Sequence, residues 1–158
     1  MKMKNSLGLV GWLVASFAAG FIGSRFEPGA WYASLAKPAW TPPNAVFAPV
    51  WSALYLLIAL AAWLVWRKAG FKGASVALAL FAAQLLLNAL WSYLFFGLHR
   101  PDIAFFDIVA LWVMILVVMV LFWRADRLAG WLMAPYLLWV GFASCLNFVL
   151  WRLNQGII

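Results

Sequence analysis

The sequence contains few of the residues that enzymes use for acid–base, nucleophilic or metal chemistry. Only 9% of its 158 residues are charged, and it has four acidic residues, one histidine and one cysteine. A single cysteine, Cys145, excludes a disulfide framework, and no spacing typical of metal ligands occurs. No serine or cysteine has a base nearby in the pattern, and no glycine-rich phosphate-binding loop is present. The sequence supports neither hydrolytic nor metal-dependent catalysis, and we expect no metal and no required cofactor.

Apolar residues, by contrast, make up 68% of the chain. A soluble domain of this size could not bury so much apolar surface. The apolar residues form five runs, each close to the roughly 20 residues that a helix needs to cross a bilayer. These runs are 7–24, 46–66, 75–98, 103–123 and 128–151, and we expect the intervals between them, including 67–74, to be loops. We predict an all-α membrane protein, one domain over 1–158, with a five-transmembrane-helix bundle and a long structured first loop.

The first run has an alternative interpretation as a cleaved signal peptide, because Lys2 and Lys4 precede it. A signal peptide has an apolar segment of about 7–15 residues followed by a small-residue cleavage site. The first run is longer, and no such site follows it in a polar context. We therefore interpret it as a retained transmembrane helix.

The net charge of +7 does not indicate a nucleic-acid partner, because the basic residues lie at the ends of the runs, where they anchor helices at lipid headgroups. Five spans place seven basic residues on one face of the membrane and four on the other. The larger group is Lys2, Lys4, Arg67, Lys68, Lys72, Arg124 and Arg127, and the smaller is Arg25, Lys37, Arg100 and Arg152. Because cytoplasmic loops are enriched in Lys and Arg, this bias predicts a cytoplasmic N-terminus in a bacterial membrane.

The first loop, 25–45, is unlike a flexible linker. Residues 37–51 read KPAWTPPNAVFAPVW, with four prolines and two tryptophans beside one charge. Each proline restricts its own backbone and that of the preceding residue, so this segment can hold a defined shape across the helix ends. Because Trp and Tyr also favour the headgroup zone, composition leaves an interfacial anchor and part of a binding site equally open.

Three of the runs carry aromatic and amide side chains in rows, each on one helical face. The rows are Phe47, Trp51 and Tyr55; Gln84, Asn88 and Trp91; and Pro135, Trp139, Ala143 and Asn147. Each row by itself is also typical of helix–helix packing. At 1.5 Å of rise per residue, however, all three fall in the same half of the bilayer, beneath the first loop. Such a convergence is typical of a small-molecule site, and aromatic walls suit a flat hydrophobic ligand.

Asp107 is the one acidic residue well inside a run. We place it in the first turn of the fourth transmembrane helix, where the helix dipole favours a carboxylate. A role in proton relay is the alternative.

A row of small residues, Ser75, Ala79 and Ala83, lies on the third run and points away from the Gln84 row. Small residues let two helices approach closely, so this row predicts either a homodimer contact or packing within one protomer.

Three segments resemble the TspO/MBR family, the translocator proteins and peripheral-type benzodiazepine receptors. They are WYASLAKPAWTPPNAVFAPVWSALY (31–55), QLLLNALWSYLFF (84–96) and PYLLWVGFASCLNFVLWRLN (135–154). The pattern W-x-P-P-x-x-x-F-x-x-x-W, followed by the other two segments in this order, is specific, and the resemblance covers essentially the whole chain.

The resemblance implies a homodimeric five-helix bundle whose ligand cavity is closed by the first loop. Implied ligands are porphyrins such as protoporphyrin IX, isoquinoline carboxamide and benzodiazepine drugs, and, in animal members, cholesterol. Carried over by position, the ligand-binding residues are Tyr32, Trp40, Phe47, Trp51, Tyr55, Asn88, Trp91, Trp139 and Ala143. We expect a sensory, regulatory or transport role. An enzyme that degrades porphyrin with light or oxygen is the alternative, and its reactive residues would be Trp51 and Trp139.

The sequence departs from the family at its sterol motif. The motif needs a tyrosine between Leu/Val and Arg, but LNFVLWR (146–152) places Phe148 between Leu146 and Arg152. Such motifs are weak even when complete. We therefore expect weak or no preference for cholesterol, with Arg152 as an interfacial anchor.

Overall fold

Five long helices dominate the computed structural model, which describes residues 2–26 and 28–156, with side chains from residue 5 onward. The side chains of Lys2 and Lys4 in the charge count therefore lie outside the described residues. The long helices are α1 (Lys2–Gly23), α3 (Asn44–Gly73), α4 (Ser75–Ser92), α5 (Pro101–Ala125) and α6 (Arg127–Leu153), and α2 (Ala30–Ser34) is a short helix in the first loop. All five are long and apolar enough to cross a membrane. The predicted all-α membrane fold with five spans is confirmed.

The five long helices form a closed ring in cross-section. Going round the ring, α1 packs against α4, α4 against α5, α5 against α6, α6 against α3, and α3 against α1. Helix α3 also contacts α4 and α5, so it reaches across the interior of the bundle. Short connections join α3 to α4, α4 to α5 and α5 to α6, and consecutive helices therefore run antiparallel.

Local sequence explains where α5 and α6 begin. Pro101 is the first residue of α5, a position where the missing amide hydrogen has no partner to lose. Asp126 separates α5 from α6, and its carboxylate accepts hydrogen bonds from the amides of Leu128 at 2.9 Å and Ala129 at 3.3 Å. This is an N-cap, which satisfies amides that the first turn of a helix leaves free.

Two local predictions are wrong. Because α5 begins at Pro101, its first turn contains Asp102, and Asp107 lies in the second turn, where the dipole acts weakly. The segment 67–74, expected as a loop, is largely helical, and the chain changes direction at Gly70, whose φ of 66° and ψ of 179° interrupt α3. Glycine adopts this conformation without the steric penalty that other residues meet.

The two halves of the bundle differ in packing. In the half that contains the α3–α4 connection, side chains fill the interior: Ile58, Val65, Phe81 and Phe122 have no exposed surface. The rings of Phe81 and Phe122 stack there with centroids 5.7 Å apart. The other half lies under the first loop and encloses a cavity. The loop is attached over it through Asn154 at the end of α6, which hydrogen-bonds to Ala36.

Candidate functional site

A cavity of about 820 Å³ occupies the half of the bundle beneath the first loop. Its lining comes from the second half of α1, the first loop, the beginning of α3, the end of α4 and the second half of α6. The three rows predicted to converge do meet here, because antiparallel helices bring the start of α3 level with the ends of α4 and α6. The volume is in the range of small-molecule sites, about 300–1,000 Å³.

Eight of the nine predicted ligand-binding residues line this cavity. They are Tyr32, Phe47, Trp51, Tyr55, Asn88, Trp91, Trp139 and Ala143. In the structure, these eight residues line the same cavity. Their contact with a ligand remains a prediction.

Trp40, the ninth, is not among the lining residues. The chain turns at this point, with the Thr41 amide and hydroxyl both donating to the Pro38 carbonyl at 3.0 and 2.8 Å. The Trp40 ring is 49% exposed and packs edge-on against Phe142 at 5.7 Å, and Phe142 in turn contacts Trp139 at 5.5 Å. Trp40 therefore contacts a neighbour of Trp139 and does not itself line the cavity.

Aromatic rings form most of the cavity wall and contact one another. Trp51 stacks on Tyr55 with ring centroids 5.6 Å apart and an interplanar angle of 28°. Phe47 meets Trp139 edge-on at 6.0 Å. Aromatic rings arranged in this way offer apolar area and ring faces to a flat apolar molecule.

A few polar groups interrupt the aromatic wall, and hydrogen bonds between helices hold them in position. The Trp91 indole donates to the Asn147 side-chain oxygen at 2.9 Å, and the Asn147 amide donates to the Pro101 carbonyl at 2.7 Å. The Tyr55 hydroxyl donates to Asn88 Oδ1 at 2.6 Å. These bonds link α3, α4, α5 and α6 at the depth of the cavity, so its shape is preorganised.

Two aromatic lining residues that follow α4, Phe95 and Phe96, were not predicted from the sequence. Residues Tyr93–Gly97 form a π-helical turn, in which the Leu98 amide donates to the Tyr93 carbonyl at 2.8 Å. Consecutive residues also line the cavity from regular helix, as Trp91 and Ser92 do, so a row at four-residue intervals identifies only part of a lining face. A signal was available for Phe95, because it follows Trp91 by four residues.

Helix α1 also contributes lining residues that no row predicted, including Phe17, Gly20 and Phe21. A Cβ atom at Gly20 would overlap the Tyr55 ring, so glycine is required for the close approach of α1 to α3. Ala48 and Ser52 of α3 also line the cavity and are exposed. The cavity therefore borders α1 as well as the three helices that carry the predicted rows.

Tyr32 brings the first loop into the cavity wall. Its ring is 5% exposed and packs against Phe95 and Phe96 at 6.2 and 5.5 Å. The Lys37 ammonium group lies 4.6 Å from the centre of the same ring. Burial raises the pKa of the Tyr32 hydroxyl, so the hydroxyl is protonated and neutral at physiological pH.

The sterol-motif residues lie on different faces of α6. Leu146 is buried and lines the cavity, whereas Phe148 is 42% exposed and Arg152 is on the surface. Phe148 packs against Phe105 at 5.2 Å. A molecule on the outer surface would therefore reach Phe148 and Arg152 without reaching Leu146.

The predicted dimer row lies on the outer face of α4. Ser75 and Ala79 are exposed and Ala83 is half-buried, while Gln84 and Asn88 on the opposite side are buried. The row is therefore available for contact outside the protomer.

The chemistry that the cavity offers is binding chemistry. Among the described residues, no three His, Cys, Asp or Glu side chains are grouped so that they could hold a metal ion. The polar atoms of its lining residues are hydroxyl, amide and indole groups, which form hydrogen bonds, while the aromatic rings supply the contact area.

Comparison with known proteins agrees with this architecture. The sequence profile of the TspO/MBR family matches residues 12–152. Protein CrtK of Rhodobacter capsulatus is 44% identical over 146 residues, which cover 92% of this chain and 91% of that protein. The tryptophan-rich sensory protein of Cereibacter sphaeroides is 41% identical over 98% of this chain and 95% of its own length. The human translocator protein is 37% identical over 93% and 90%, respectively. On this evidence, with the five-helix bundle described above, the chain belongs to the TspO/MBR family of membrane proteins.

Proposed function

We propose that this membrane protein binds porphyrins, such as protoporphyrin IX, and drug-like hydrophobic molecules in its aromatic cavity, and that binding serves a sensory, regulatory or transport role. The observation that carries the proposal is the cavity of about 820 Å³, whose wall combines stacked and edge-on aromatic rings with a few fixed polar groups. Such a surface gains most from a large, flat, apolar ligand.

The names of the relatives support the receptor or translocator part of the proposal. Relatives from bacteria and mammals are called tryptophan-rich sensory protein and translocator protein. The chain matches each of them over more than nine-tenths of its length. These names therefore belong to proteins that are similar to nearly the whole of this chain.

Tryptophan fluorescence tests the binding site directly. Protoporphyrin IX added to the purified protein is expected to quench the fluorescence with micromolar or tighter affinity. Replacing Trp51→Phe together with Trp139→Phe should weaken binding, because both rings line the cavity. The matched control replaces Trp123→Phe and Trp131→Phe, which contact each other at 4.9 Å and are not cavity-lining residues. Equal affinity in the two double variants would contradict the proposed site.

A second candidate is an enzyme that degrades porphyrin with light and dioxygen. The specific observation in its favour is that two tryptophans, Trp51 and Trp139, border the same cavity, where a bound porphyrin could excite or oxidise them. Illumination of the purified protein with protoporphyrin IX, followed by absorbance, tests it. Loss of porphyrin no faster than in detergent alone, or unchanged in the Trp51→Phe/Trp139→Phe variant, excludes this activity.

We also propose a homodimer that forms through the outer face of α4, at Ser75, Ala79 and Ala83. The chain would lie in a bacterial membrane with a cytoplasmic N-terminus, and it would have little preference for cholesterol and no required cofactor. Ala79→Trp is expected to give monomers in detergent by light scattering. The outward-facing variant Leu138→Trp on α6 is the control, because Leu138 is equally accessible at 74% exposure.

A further inference from the structure

A chain of four hydrogen-bonding side chains leads from the cavity wall into the packed interior. Tyr55 donates to Asn88 Oδ1 at 2.6 Å, Asn88 Nδ2 donates to the Tyr136 hydroxyl oxygen at 3.2 Å, and Tyr136 donates to Gln84 Oε1 at 2.8 Å. Tyr55 and Asn88 line the cavity, whereas Tyr136 and Gln84 have no exposed surface. The chain therefore connects two cavity-lining side chains to two side chains that a ligand cannot touch.

The inner end of this chain has an unpaired donor. Gln84 Nε2 is buried and has no hydrogen-bond partner. A buried N–H without an acceptor is among the least common arrangements in folded proteins, less common than an unpaired carbonyl oxygen. Gln84 is not a lining residue, so no ligand can supply the missing acceptor directly.

The donor-to-acceptor direction of these hydrogen bonds can be reversed while nitrogen and oxygen atoms continue to occupy the same sites. The two ends of an amide have nearly the same shape, so rotating the Gln84 and Asn88 amides by half a turn exchanges donor and acceptor. Gln84 then donates to Tyr136, Tyr136 to Asn88, and Asn88 to Tyr55. Every proton stays on its own nitrogen or oxygen, and the three hydrogen bonds persist at the same distances.

Reversal changes what the cavity presents to a ligand. In the original direction the Tyr55 hydroxyl is already donating to Asn88, so only its oxygen is free to accept. In the reversed direction Tyr55 accepts from Asn88, and its proton is free to donate into the cavity. The unpaired atom at the inner end becomes a carbonyl oxygen instead of an N–H, which is the less unfavourable of the two.

We infer that the Tyr55–Asn88–Tyr136–Gln84 chain selects flat apolar ligands that carry a hydrogen-bond acceptor, such as a carbonyl or carboxylate oxygen, at the Tyr55 hydroxyl. The inference rests on the proposed binding function and adds the chemical class of its ligands. An acceptor at Tyr55 completes the reversed direction, which pairs Gln84 Nε2, whereas a donor can use the Tyr55 oxygen in either direction and favours neither. Tyr136 and Gln84 do not touch the ligand. They are positioning residues, because they set the orientation of the Tyr55 hydroxyl that does.

Three tricyclic probes of nearly equal shape test this selectivity. They are 9-fluorenone, with a carbonyl acceptor; carbazole, with an N–H donor; and fluorene, with a methylene group at the same position. Affinities are measured by quenching of tryptophan fluorescence in detergent. The affinity of each probe is divided by that of fluorene, and this ratio is then divided by the same ratio measured in Tyr55→Phe. The second division removes differences in partitioning into the micelle. One hydrogen bond corresponds to a preference of roughly three- to tenfold for fluorenone, with carbazole between the other two.

Two variants outside the cavity make the test specific. Gln84→Met removes the acceptor that holds Tyr136 in the original direction, so Tyr136 can donate only to Asn88, and the fluorenone preference is expected to rise. Tyr136→Phe breaks the chain, so the same Gln84→Met change made in that background should leave the fluorenone preference unchanged, while fluorene affinity stays within about twofold. Loss of packing alone would weaken all three probes together.

Each result bears on the inference. Equal corrected affinities for fluorenone and fluorene in the unaltered protein overturn it. An equal effect of Gln84→Met with and without Tyr136→Phe also overturns it, because Gln84 would then act without the chain. If fluorene binds and only the selectivity is absent, the binding function stands without this inference. If none of the three probes binds, the proposed function fails with it.

Discussion

Asn154, the residue that follows α6, hydrogen-bonds to both backbone groups of Ala36 in the first loop. The Ala36 amide donates to Asn154 Oδ1 at 2.8 Å, and Asn154 Nδ2 donates to the Ala36 carbonyl at 2.9 Å and to the Leu150 carbonyl at 2.8 Å. Asn154 is 1% exposed, so these bonds are shielded from water. The loop is thereby held over the end of the bundle where the cavity lies.

The first prediction concerns this attachment. Asn154→Ala removes three hydrogen bonds and leaves the Ala36 amide and carbonyl without partners, so the free energy of unfolding should fall by about 2–3 kcal/mol. The loop should also become more sensitive to protease. Gln155→Ala is the control, because Gln155 is exposed. Similar thermal unfolding and proteolysis of the two variants would show that Asn154 does not hold the loop.

The second prediction concerns the approach of α1 to α3. Gly20→Ala places a Cβ where the Tyr55 ring lies, so the ring must move into the cavity. Overpacking of this kind costs about 1–3 kcal/mol, and protoporphyrin binding should weaken together with thermal stability. Gly11→Ala is the matched control, since its Cβ meets no atom within 4 Å, and it should be neutral or slightly stabilising because alanine favours a helix.

The third prediction concerns the bonds that position Trp91. Asn147→Leu leaves the Trp91 indole N–H and the Pro101 carbonyl without their partner and should destabilise the protein by about 2–4 kcal/mol. In a Trp91→Phe background the same change should cost less, because one of the two groups is already absent. A double-mutant cycle by chemical unfolding measures the difference, and simple additivity would mean that the hydrogen bond contributes nothing.

The fourth prediction separates two roles of Asp126. Its carboxylate caps α6 and also lies 3.5 Å from the Lys68 ammonium group. Asp126→Asn keeps a capping oxygen and removes the charge, whereas Asp126→Ala removes both. Because an exposed ion pair contributes little, Asn should be nearly neutral and Ala should cost about 1 kcal/mol. Equal thermal destabilisation by the two variants would assign the effect to the ion pair.

The arrangement of lining residues could be predicted where it depends on helical period and depth. Phe47, Trp51 and Tyr55 repeat at four-residue intervals, and counting 1.5 Å per residue places them level with Asn88 and Trp139. This reasoning needs only that the helices are regular and antiparallel, and both conditions hold here. It did not identify Phe96, which follows the regular part of α4 in a π-helical turn. Trp40 was named by the family resemblance alone, and it does not line the cavity.

The position of Asp107 shows a similar limit. The apolar run begins at residue 103, but the helix begins two residues earlier, at Pro101, because proline and Asp102 fit the first turn of a helix although neither is apolar. The ends of an apolar run therefore do not mark the ends of its helix.

The sequence by itself determined the class of protein and the number of spans, because five long apolar runs can satisfy their backbone groups in a bilayer only as helices. It also determined which faces of three helices carry aromatic and amide groups. Only the tertiary structure decided that α1 completes the cavity and that Tyr136 connects Asn88 to Gln84. These features depend on which helices become neighbours. Contacts between residues far apart in the chain determine this, and the period of a single helix carries no information about them.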